Sequence, residues 1–392
     1  MLKTTIARGL ALSALLGLTT GAAHAEAPPL PTSPVTLNII DVAGTLALTQ
    51  KAIEKYRDEH PKLVSKITFT KAPGPELAGK IKAQQNANRL DIDLVLSGTD
   101  GIAAGLGQDE WIKLLPEYAA KFPNLEANYL PAALKMQQLV DGYAVAVVYY
   151  PSGPLIEYAP ERVKDIPKST DELLAWCKAH PNRLMYARPA NSGPGRTWLQ
   201  ALPYLLGDSD PKDPIKGWDK TWAYLKDLNS CIEYYPSGTG ATMKEFGEGS
   251  RDIIITTTGW DINPRVLGTV PKSAEVGTLK GFHWVSDAQY MVVPKGISPD
   301  HLAVVLDLMA YMLKPEAQAY AYDDGYFYPG PAIKDVPLSM APKSSQDAIK
   351  EFGRPEYDKL IAENPIEIPL ADARLVAAFR KWDEDVGGAK LK

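Results

Sequence analysis

Four apolar segments of the chain each end in a polar, glycine-bearing turn that leads into a helix. The segments span residues 35–40, 92–96, 184–187 and 252–257, and the turns that follow span 41–45, 97–101, 190–197 and 258–261. Apolar runs of this length are typical of buried parallel strands, and their alternation with helices indicates an α/β fold. In open sheets of this kind, ligands bind beyond the carboxyl ends of the strands. We therefore expect these turns to form the functional site.

The turn at residues 190–197 has a composition suited to an anion. Its two glycines allow backbone N–H groups to approach a ligand, and the helix that follows begins with unpaired N–H groups at its positive end. Arg196 adds a planar set of donors that matches a carboxylate or a phosphate. The alternative is an ordinary capped turn with Arg196 in solvent, and the local sequence is compatible with both.

Residues 1–25 have the parts of an export signal, with Lys3 and Arg8 before an apolar core and an A-x-A cleavage site that ends at Ala25. We expect cleavage after Ala25 and a periplasmic protein. The proline-rich residues 26–34 predict a flexible, extended leader. No later run of about 18 apolar residues follows, so we expect the mature chain to be soluble.

Length, charge and cysteine content narrow the class further. Removing the 25 signal residues from 392 leaves 367, enough for about two domains. Removing Lys3 and Arg8 from the 42 Lys and Arg residues leaves 40 against 47 Asp and Glu, a net charge of −7 that argues against a nucleic-acid partner. Cys177 and Cys231 are expected to form a disulfide in an oxidising compartment; two buried, unpaired thiols are the alternative.

The chain is predicted to divide into two lobes and a tail. A strand signal at 143–149 leads to a crossing near 150, and strand signals at 281–285 and 289–293 predict a return near 287. The predicted parts are lobe 1 at residues 35–149 and 288–340, lobe 2 at residues 150–287, and a helical C-terminal tail at residues 341–392.

Several segments carry a resemblance to a known family: 39–44, 93–97, 258–260, 289–296, and 314–319 ahead of Gly325-Tyr326. Together with the export signal and the two lobes, they resemble the extracellular solute-binding proteins of ABC importers, nearest the branch that binds spermidine/putrescine, thiamine and ferric ions. The resemblance implies a type II periplasmic-binding-protein fold, with a mainly parallel sheet flanked by helices in each lobe and two hinge crossings. It also implies a monomer that delivers a small ligand to a membrane permease, without enzymatic activity, cofactor or metal.

By family position, the ligand is expected between the lobes. The residues expected from lobe 1 are Asp41, Val42, Gly44, Thr45, Ser97, Gly98 and Thr99. Those expected from lobe 2 are Asn191, Ser192, Gly193, Arg196, Thr197, Gly259, Trp260 and Asp261. Those expected near the return crossing and on the later aromatic loop are Asp287, Tyr290, Tyr326 and Tyr328. Each of these residues has the alternative role of capping or shaping its own turn.

The residues favour an anionic ligand that bears a phosphate or carboxylate, because of Arg196. Trp260, the nearby aspartates and the tyrosines also suit a cage for a cation such as a polyamine or thiamine, and a zwitterion or phosphorylated cation satisfies both. A neutral sugar suits the same tryptophan and polar groups. Ferric ion is disfavoured because the pairs Tyr149-Tyr150 and Tyr234-Tyr235 have no accompanying His or carboxylate motif.

An enzyme is the competing class, and a secreted lyase or glycosidase is the form considered. The chain has no G-x-S-x-G nucleophile turn. The segment 74–81 departs from a phosphate-binding P-loop because Ile81 stands where a hydroxyl group is needed. The histidines that follow the signal, at positions 60, 180, 283 and 301, lack the spacing of metal ligands. We therefore expect binding without catalysis.

Overall fold

The structure is a computed structural model that describes residues 26–72 and 74–391. The predicted export signal and its cleavage site, residues 1–25, lie outside the described residues. The strands are β1 (Val35–Asp41), β2 (Val64–Lys71), β3 (Leu94–Ser97), β4 (Ala144–Gly153), β5 (Leu155–Tyr158), β6 (Leu184–Met185), β7 (Ile253–Thr256), β8 (Glu275–Gly277), β9 (Trp284–Val292), β10 (Gly330–Pro331) and β11 (Ile366–Glu367).

The helices surround two sheets and continue into the C-terminal tail. They are α1 (Leu46–Glu59), α2 (Gly74–Asn86), α3 (Thr99–Leu106), α4 (Leu125–Asn128), α5 (Pro131–Leu139), α6 (Thr170–Ala179), α7 (Gly193–Leu206), α8 (Asp219–Asn229), α9 (Thr239–Gly247), α10 (Ile262–Val266), α11 (Pro299–Met312), α12 (Pro315–Gln318), α13 (Lys343–Phe352), α14 (Glu356–Glu363) and α15 (Asp372–Trp382). None of them, within the described ranges, has the length and apolar character needed to cross a membrane.

Lobe 1 is built on the larger sheet, whose strand order is β10-β4-β9-β3-β1-β2, with β11 beside β9. Strand β1 is parallel to β2 and β3, as expected for apolar strands separated by helices. Strand β9 is antiparallel to both β3 and β4, so the sheet is mixed. The carboxyl ends of β1 and β3 lie side by side, which brings the turns that follow them together.

Lobe 2 is built on the smaller sheet, in the order β6-β7-β5-β8. The expected parallel pairing is present between β6 and β7, whereas β5 is antiparallel to β7 and β8. The run that predicted a strand at 252–257 forms β7 in the interior of the sheet, and each of its residues is buried. Trp198 of α7 and Trp218 just before α8 are buried in the core beside it.

Two antiparallel strands, β4 and β9, join the lobes. Their ladder runs from the pair Ala144–Val292 to the pair Gly153–Val285. Tyr150 is opposite Asp287 within it, at the two positions where the sequence predicts crossings. After Gly153 the chain enters β5 of the smaller sheet, so the ladder leads directly from one sheet to the other.

The last helix of the C-terminal tail, α15, packs on lobe 2, whereas β11 of the tail joins the larger sheet beside β9. Helix α15 places Leu375 and Trp382 in the core of that lobe, where the Trp382 ring meets Tyr235 edge-on at a centroid distance of 4.9 Å. Arg188 forms an ion pair with Asp383, just after α15. Burying a large apolar side chain contributes roughly 1.5–3 kcal/mol, so the tail is part of what stabilises lobe 2.

Cys177 in α6 and Cys231 just after α8 form a disulfide, which confirms the pairing expected from the sequence. Their Cα atoms are 5.8 Å apart and both residues lie in the core of lobe 2. The bond closes a loop with a sequence separation of 54 residues. A cross-link of that span restricts the unfolded chain enough to contribute about 4 kcal/mol to stability.

The double variant Cys177→Ala/Cys231→Ala is expected to unfold with a free energy lower by about 4 kcal/mol, because the unfolded chain regains the freedom of that loop. Urea denaturation followed by circular dichroism measures the difference. A reductant should destabilise the wild-type protein by a similar amount and leave the variant unchanged. Equal midpoints for the two oxidised proteins would mean that the bond does not stabilise the fold.

Candidate ligand-binding cleft

A cavity of about 460 Å³ lies between the lobes. The turns after β1 and β3 meet the start of α7 and the turn after β7 there, and the volume suits a small molecule. The sequence-predicted residues that line it are Val42, Gly44, Asn191, Ser192, Gly193, Arg196, Trp260 and Tyr326. The lining residues that were not predicted are Ala43, Asp100, Tyr150, Ala190, Ser237, Thr239, Gln289 and Phe327.

Helix α7 begins at Gly193, and its first turn forms one wall of the cavity. The Ser192 hydroxyl caps the helix by accepting a hydrogen bond from the N–H of Gly195 at 3.1 Å. The N–H of Gly193 has no acceptor within the helix, so it and the helix dipole are available to an anion. Gly195 is required here because a Cβ would lie 2.2 Å from the carbonyl oxygen of Ala187.

Arg196 is buried in the same wall, where its guanidinium contacts two carboxylates. Nη2 donates to Oδ2 of Asp287 at 2.5 Å, and Nη1 lies 3.2 Å from Oδ1 of Asp100 without hydrogen-bond geometry. Burial opposes the charged form, but the two carboxylates raise the pKa of Arg196 above its ordinary value. Asp287 also accepts from the Tyr150 hydroxyl at 2.8 Å and the Ala288 N–H at 2.9 Å. Asp287 is therefore the fixed counter-ion and Asp100 the looser one.

A chain of buried polar side chains continues from Asp287 into lobe 1. Nε2 of Gln289 donates to the Tyr150 hydroxyl at 3.4 Å, and Oε1 of Gln289 accepts from Thr45 Oγ1 at 2.9 Å. All three side chains are buried, so breaking one of these bonds would leave a buried polar group unpaired, at about 1–3 kcal/mol. The network fixes the joining strands against the turn after β1.

Four aromatic rings contact the cavity in series. The Trp260 ring meets Tyr326 edge-on at 5.2 Å, Tyr326 stacks on Phe327 at 4.1 Å, and Phe327 stacks on Tyr150 at 4.7 Å. These rings offer apolar edges to a hydrocarbon chain and negative faces to a cation. Because Tyr150 is also bonded to Asp287, the aromatic series and the Arg196 ion pair form one continuous structure.

Residues 51–351 match the model of the family described as bacterial extracellular solute-binding protein. The chain belongs to this family. The match covers the joining strands and most of both lobes, beginning within α1, and it confirms the resemblance found in the sequence. A comparison with curated proteins finds no match.

Solved structures show the same fold at low sequence identity. The GABA receptor Atu4243 is 22% identical over 89% of this chain and 95% of its own, with a TM-score of 0.61. AfuA from Actinobacillus pleuropneumoniae, with fructose-6-phosphate bound, is 14% identical over 90% and 98%, with a TM-score of 0.61. The spermidine/putrescine ABC transporter substrate-binding protein PotD from Streptococcus pneumoniae is 15% identical over 89% and 98%, with a TM-score of 0.58. At these identities the likeness establishes the fold, which confirms the predicted two-lobe α/β class. The sheets are mixed where mainly parallel ones were expected, because β5 and β9 run antiparallel to their neighbours.

Several predicted lobe 1 residues of this solute-binding protein support the cavity without lining it. Thr45 holds Gln289, as described above. The Ser97 hydroxyl donates to the carbonyl oxygen of Gly98 at 3.1 Å. A Cβ on Gly98 would lie 2.8 Å from Oδ1 of Asp100. Together with Thr99, the first residue of α3, these residues shape the turn that presents Asp100.

The remaining predicted residues have partners that keep them outside this cavity. Thr197 Oγ1 lies 3.0 Å from Ser152 Oγ. The Tyr290 hydroxyl donates to the carbonyl oxygen of Met136 at 3.0 Å within the core of lobe 1. Asp287 holds Arg196 from behind. Tyr328 packs against the core of lobe 1 and against a second cluster that contains Trp284 and Tyr357, and Asp41 lines a neighbouring cavity.

Gly259 lets the turn after β7 touch the aromatic loop. Its φ is +89°, and a Cβ would lie 2.4 Å from the Phe327 nitrogen and 2.6 Å from the Gly325 carbonyl oxygen. The contact sets the position of the adjacent Trp260 relative to Tyr326.

Gly259→Ala is expected to destabilise the protein by about 1 kcal/mol for its backbone conformation and by a further 1–3 kcal/mol for the clash with the loop. Gly268→Ala is the matched control, since Gly268 has a φ of +72° and an added Cβ there meets open space. Thermal unfolding should place Gly259→Ala clearly below Gly268→Ala. Equal melting temperatures would contradict the proposed role of the contact.

Asp261, although adjacent to Trp260, belongs to a buried ionic cluster outside the cavity. Arg354 Nε donates to Oδ2 of Asp261 at 2.8 Å, and Arg265 Nη2 lies 3.3 Å from the same oxygen. Glu157 on β5 is fully buried beside them. Burial, followed by the charge of Asp261, raises the pKa of Glu157 to about 8, while Arg354 and Arg265 oppose that rise. Asp261 thus anchors the tail to lobe 2.

The raised pKa of Glu157 predicts a pH dependence of stability. Its ordinary value is 4.5 and its folded value about 8, so between these values the unfolded chain loses a proton that the folded chain keeps. Stability should therefore fall as pH rises from about 5 to 8, by at most about 1.4 kcal/mol per pH unit from this group. Glu157→Gln should remove that slope in urea titrations, whereas Glu161→Gln, at an exposed site, should retain it. An unchanged slope in Glu157→Gln would disprove the assignment.

Proposed function

We propose that this solute-binding protein is the capture component of an ABC importer and binds a small organic solute through a carboxylate or phosphate group. The observation that carries the proposal is the charged guanidinium of Arg196 in the wall of the interlobe cavity, at the start of α7. Among the described residues that line this cavity, Arg196 is the one cation.

A ligand anion reaches Arg196 by taking the place of Asp100. The Asp100 side chain is 26% exposed, but Oδ1, the oxygen nearest Arg196, is buried and accepts no hydrogen bond among the described residues. Its contact with Arg196 therefore lacks the strength of a charge-assisted hydrogen bond. An anion that hydrogen-bonds to the guanidinium with good geometry gains about 1.5–3 kcal/mol, and the N–H of Gly193 adds a further donor. Asp287 keeps its place because Tyr150 and Ala288 hold it. A ligand anion with good hydrogen-bond geometry therefore competes with Asp100 for the guanidinium.

The cavity side chains support binding without a chemical step. The hydroxyl groups of Ser192 and Thr239 lie 2.7 Å apart and bond to each other, and Ser192 also caps α7. Within the described lining there is no histidine or lysine to act as a base for either hydroxyl. We therefore propose that a bound solute is released unaltered, as transport requires.

Delivery requires a membrane partner and a movement of the lobes. We infer that the lobes close on the ligand by bending about β4 and β9, where the ladder is irregular between Tyr150 and Gly153. The loaded form then docks on a permease at the outer face of the inner membrane. The fold shared with PotD, an ABC transporter substrate-binding protein, supports this assignment.

A purely cationic ligand is the second candidate. Two carboxylates contact the single guanidinium of Arg196, and the aromatic series presents faces that attract cations. The similar solved structures include one with fructose-6-phosphate bound and one named for spermidine/putrescine. Both charge classes therefore occur on this fold.

Arg196→Lys tests the proposal while leaving a positive charge beside Asp287. The ammonium of lysine lacks the planar pair of donors, so affinity for anions should fall at least tenfold, or about 1.4 kcal/mol. Isothermal titration calorimetry of the mature protein against fructose-6-phosphate, inorganic phosphate, GABA and dicarboxylates measures the effect. Spermidine and putrescine serve as cationic probes.

The matched control is Arg188→Lys, because Arg188 also pairs with a carboxylate, Asp383, at a site outside the cavity. It should leave ligand affinity unchanged. If no anionic probe binds, or if Arg196→Lys binds anions as the wild type does, the anion proposal is wrong. Tight binding of spermidine or putrescine alone would establish the second candidate in its place.

A further inference from the structure

A second cavity, of about 580 Å³, lies beside the first. The two share Gly44, Trp260 and Tyr326, so the edge-on pair of rings lies between them. The carboxylates that line the second cavity are Asp41, Asp323 and Asp324, and Lys71 is its described cation. The proposed function makes no use of this acidic compartment.

Asp41 is the last residue of β1 and is 3% exposed. Its Oδ1 has no hydrogen-bond partner among the described residues. Burial raises the pKa of Asp41, although backbone N–H groups of Leu46, Ala43 and Thr45 and the charge of Lys71 oppose that rise. A buried carboxylate oxygen in a cavity wall requires a donor, and a ligand in this cavity can supply one.

Asp323 and Asp324 line the same cavity from the loop before Gly325, and both are half-buried. Asp323 has a φ of +43°, a region that Asp and Asn enter more readily than most residues. Burial raises the pKa of Asp323, and the charge of Asp324 also raises it, while a backbone hydrogen bond and the charge of Lys51 oppose the rise. Adjacent carboxylates in a partly buried site favour a cation beside them.

Negative charge predominates around both cavities. Among the described residues, the second cavity has three carboxylates and Lys71, and in the first Asp100 and Asp287 surround Arg196. A ligand with only a carboxylate or phosphate would add to this excess. A ligand that also carries an ammonium group would offset this excess of negative charge. The electrostatic attraction between the ammonium and the carboxylates is strong where water is excluded. Because no described group of three His, Cys, Asp or Glu residues is arranged to hold a metal ion, the geometry favours an organic cation.

We propose that the second cavity is a subsite for the ammonium group of the ligand, and that the substrate is a small zwitterion. The inference rests on the proposed function, which places the carboxylate or phosphate at Arg196. The hydrocarbon part of the ligand passes the rings of Trp260 and Tyr326. Its ammonium lies in the second cavity beside Asp41, whose Oδ1 lacks a partner among the described residues, with Asp323 and Asp324 on the same lining. The ring faces add attraction for the cation.

Calorimetric titrations with paired probes test this assignment. The probes are ω-amino carboxylates from GABA to 6-aminohexanoate and aminoalkyl phosphates, each paired with the amine-free acid of equal length. At least one amine-bearing probe should bind tenfold or more tightly than its partner, because hydrogen bonds between charged groups are strong. If the amine improves affinity in none of the pairs, the proposal is overturned.

Three variants locate the subsite: Asp41→Asn, Asp323→Asn and Asp324→Asn. Each should weaken the amine-bearing probe about tenfold and leave its amine-free partner unaffected. Asn retains the backbone preference needed at Asp323, and Asp324 is partly exposed, so these two variants remain informative if Asp41→Asn unfolds. Asp335→Asn is the matched control, since Asp335 is exposed, has a φ of +60° and lies outside both cavities. Equal losses in Asp335→Asn, or no loss in the subsite variants, would overturn the proposal.

The Arg196→Lys variant separates the two hypotheses. Loss of affinity in Arg196→Lys for both members of a probe pair, with no effect of the aspartate variants, supports the anion site and refutes the subsite. Loss in the aspartate variants for the amine-bearing probe, with no effect of Arg196→Lys, supports the subsite and refutes the anion site.

Discussion

The buried ion pair between Arg196 and Asp287 determines how the cavity is built. Leaving either charge buried without its partner would cost about 3–5 kcal/mol, so the first turn of α7 stays against β9. Asp287 is held in turn by Tyr150 on β4, which means that the strands joining the lobes also orient the guanidinium. Rigid elements therefore fix the position of the Arg196 guanidinium, and little entropy is lost in ordering this side chain when a ligand binds.

Much of the architecture could be predicted because the apolar strands, their glycine-bearing turns and the two cysteines are local signals. The directions of β5 and β9 could not be predicted, because an apolar strand has the same residue pattern whether it pairs in parallel or antiparallel. The pairing of β11 with β9 and the burial of Trp382 in lobe 2 were also not predictable from the sequence. They depend on contacts between segments far apart in the chain.

The site was predictable as a set of turns and less so as a set of side chains. Arg196 and Trp260 line the cavity as expected. Asp100 also lines it; its turn, residues 97–101, was identified from the sequence, but Asp100 itself was not selected as a site residue. Phe327 lies on the aromatic loop from which Tyr326 and Tyr328 were predicted, and the backbone path that turns its ring to the cavity was not predictable. Asp261 follows Trp260 directly, yet its partner Arg354 is 93 residues away, so sequence proximity to the cavity was misleading.

Because of the position of Trp260, the intrinsic tryptophan fluorescence of the protein is expected to report ligand binding in the two cavities. Six of the eight tryptophans are buried, and Trp176 is the other partly exposed one, on α6 of lobe 2 beside His180. Trp260 is the one tryptophan in the wall that the two cavities share. A ligand on either side of this indole changes the polarity around it. The emission wavelength and the quenching of Trp260 can therefore follow ligand binding and release without an attached dye.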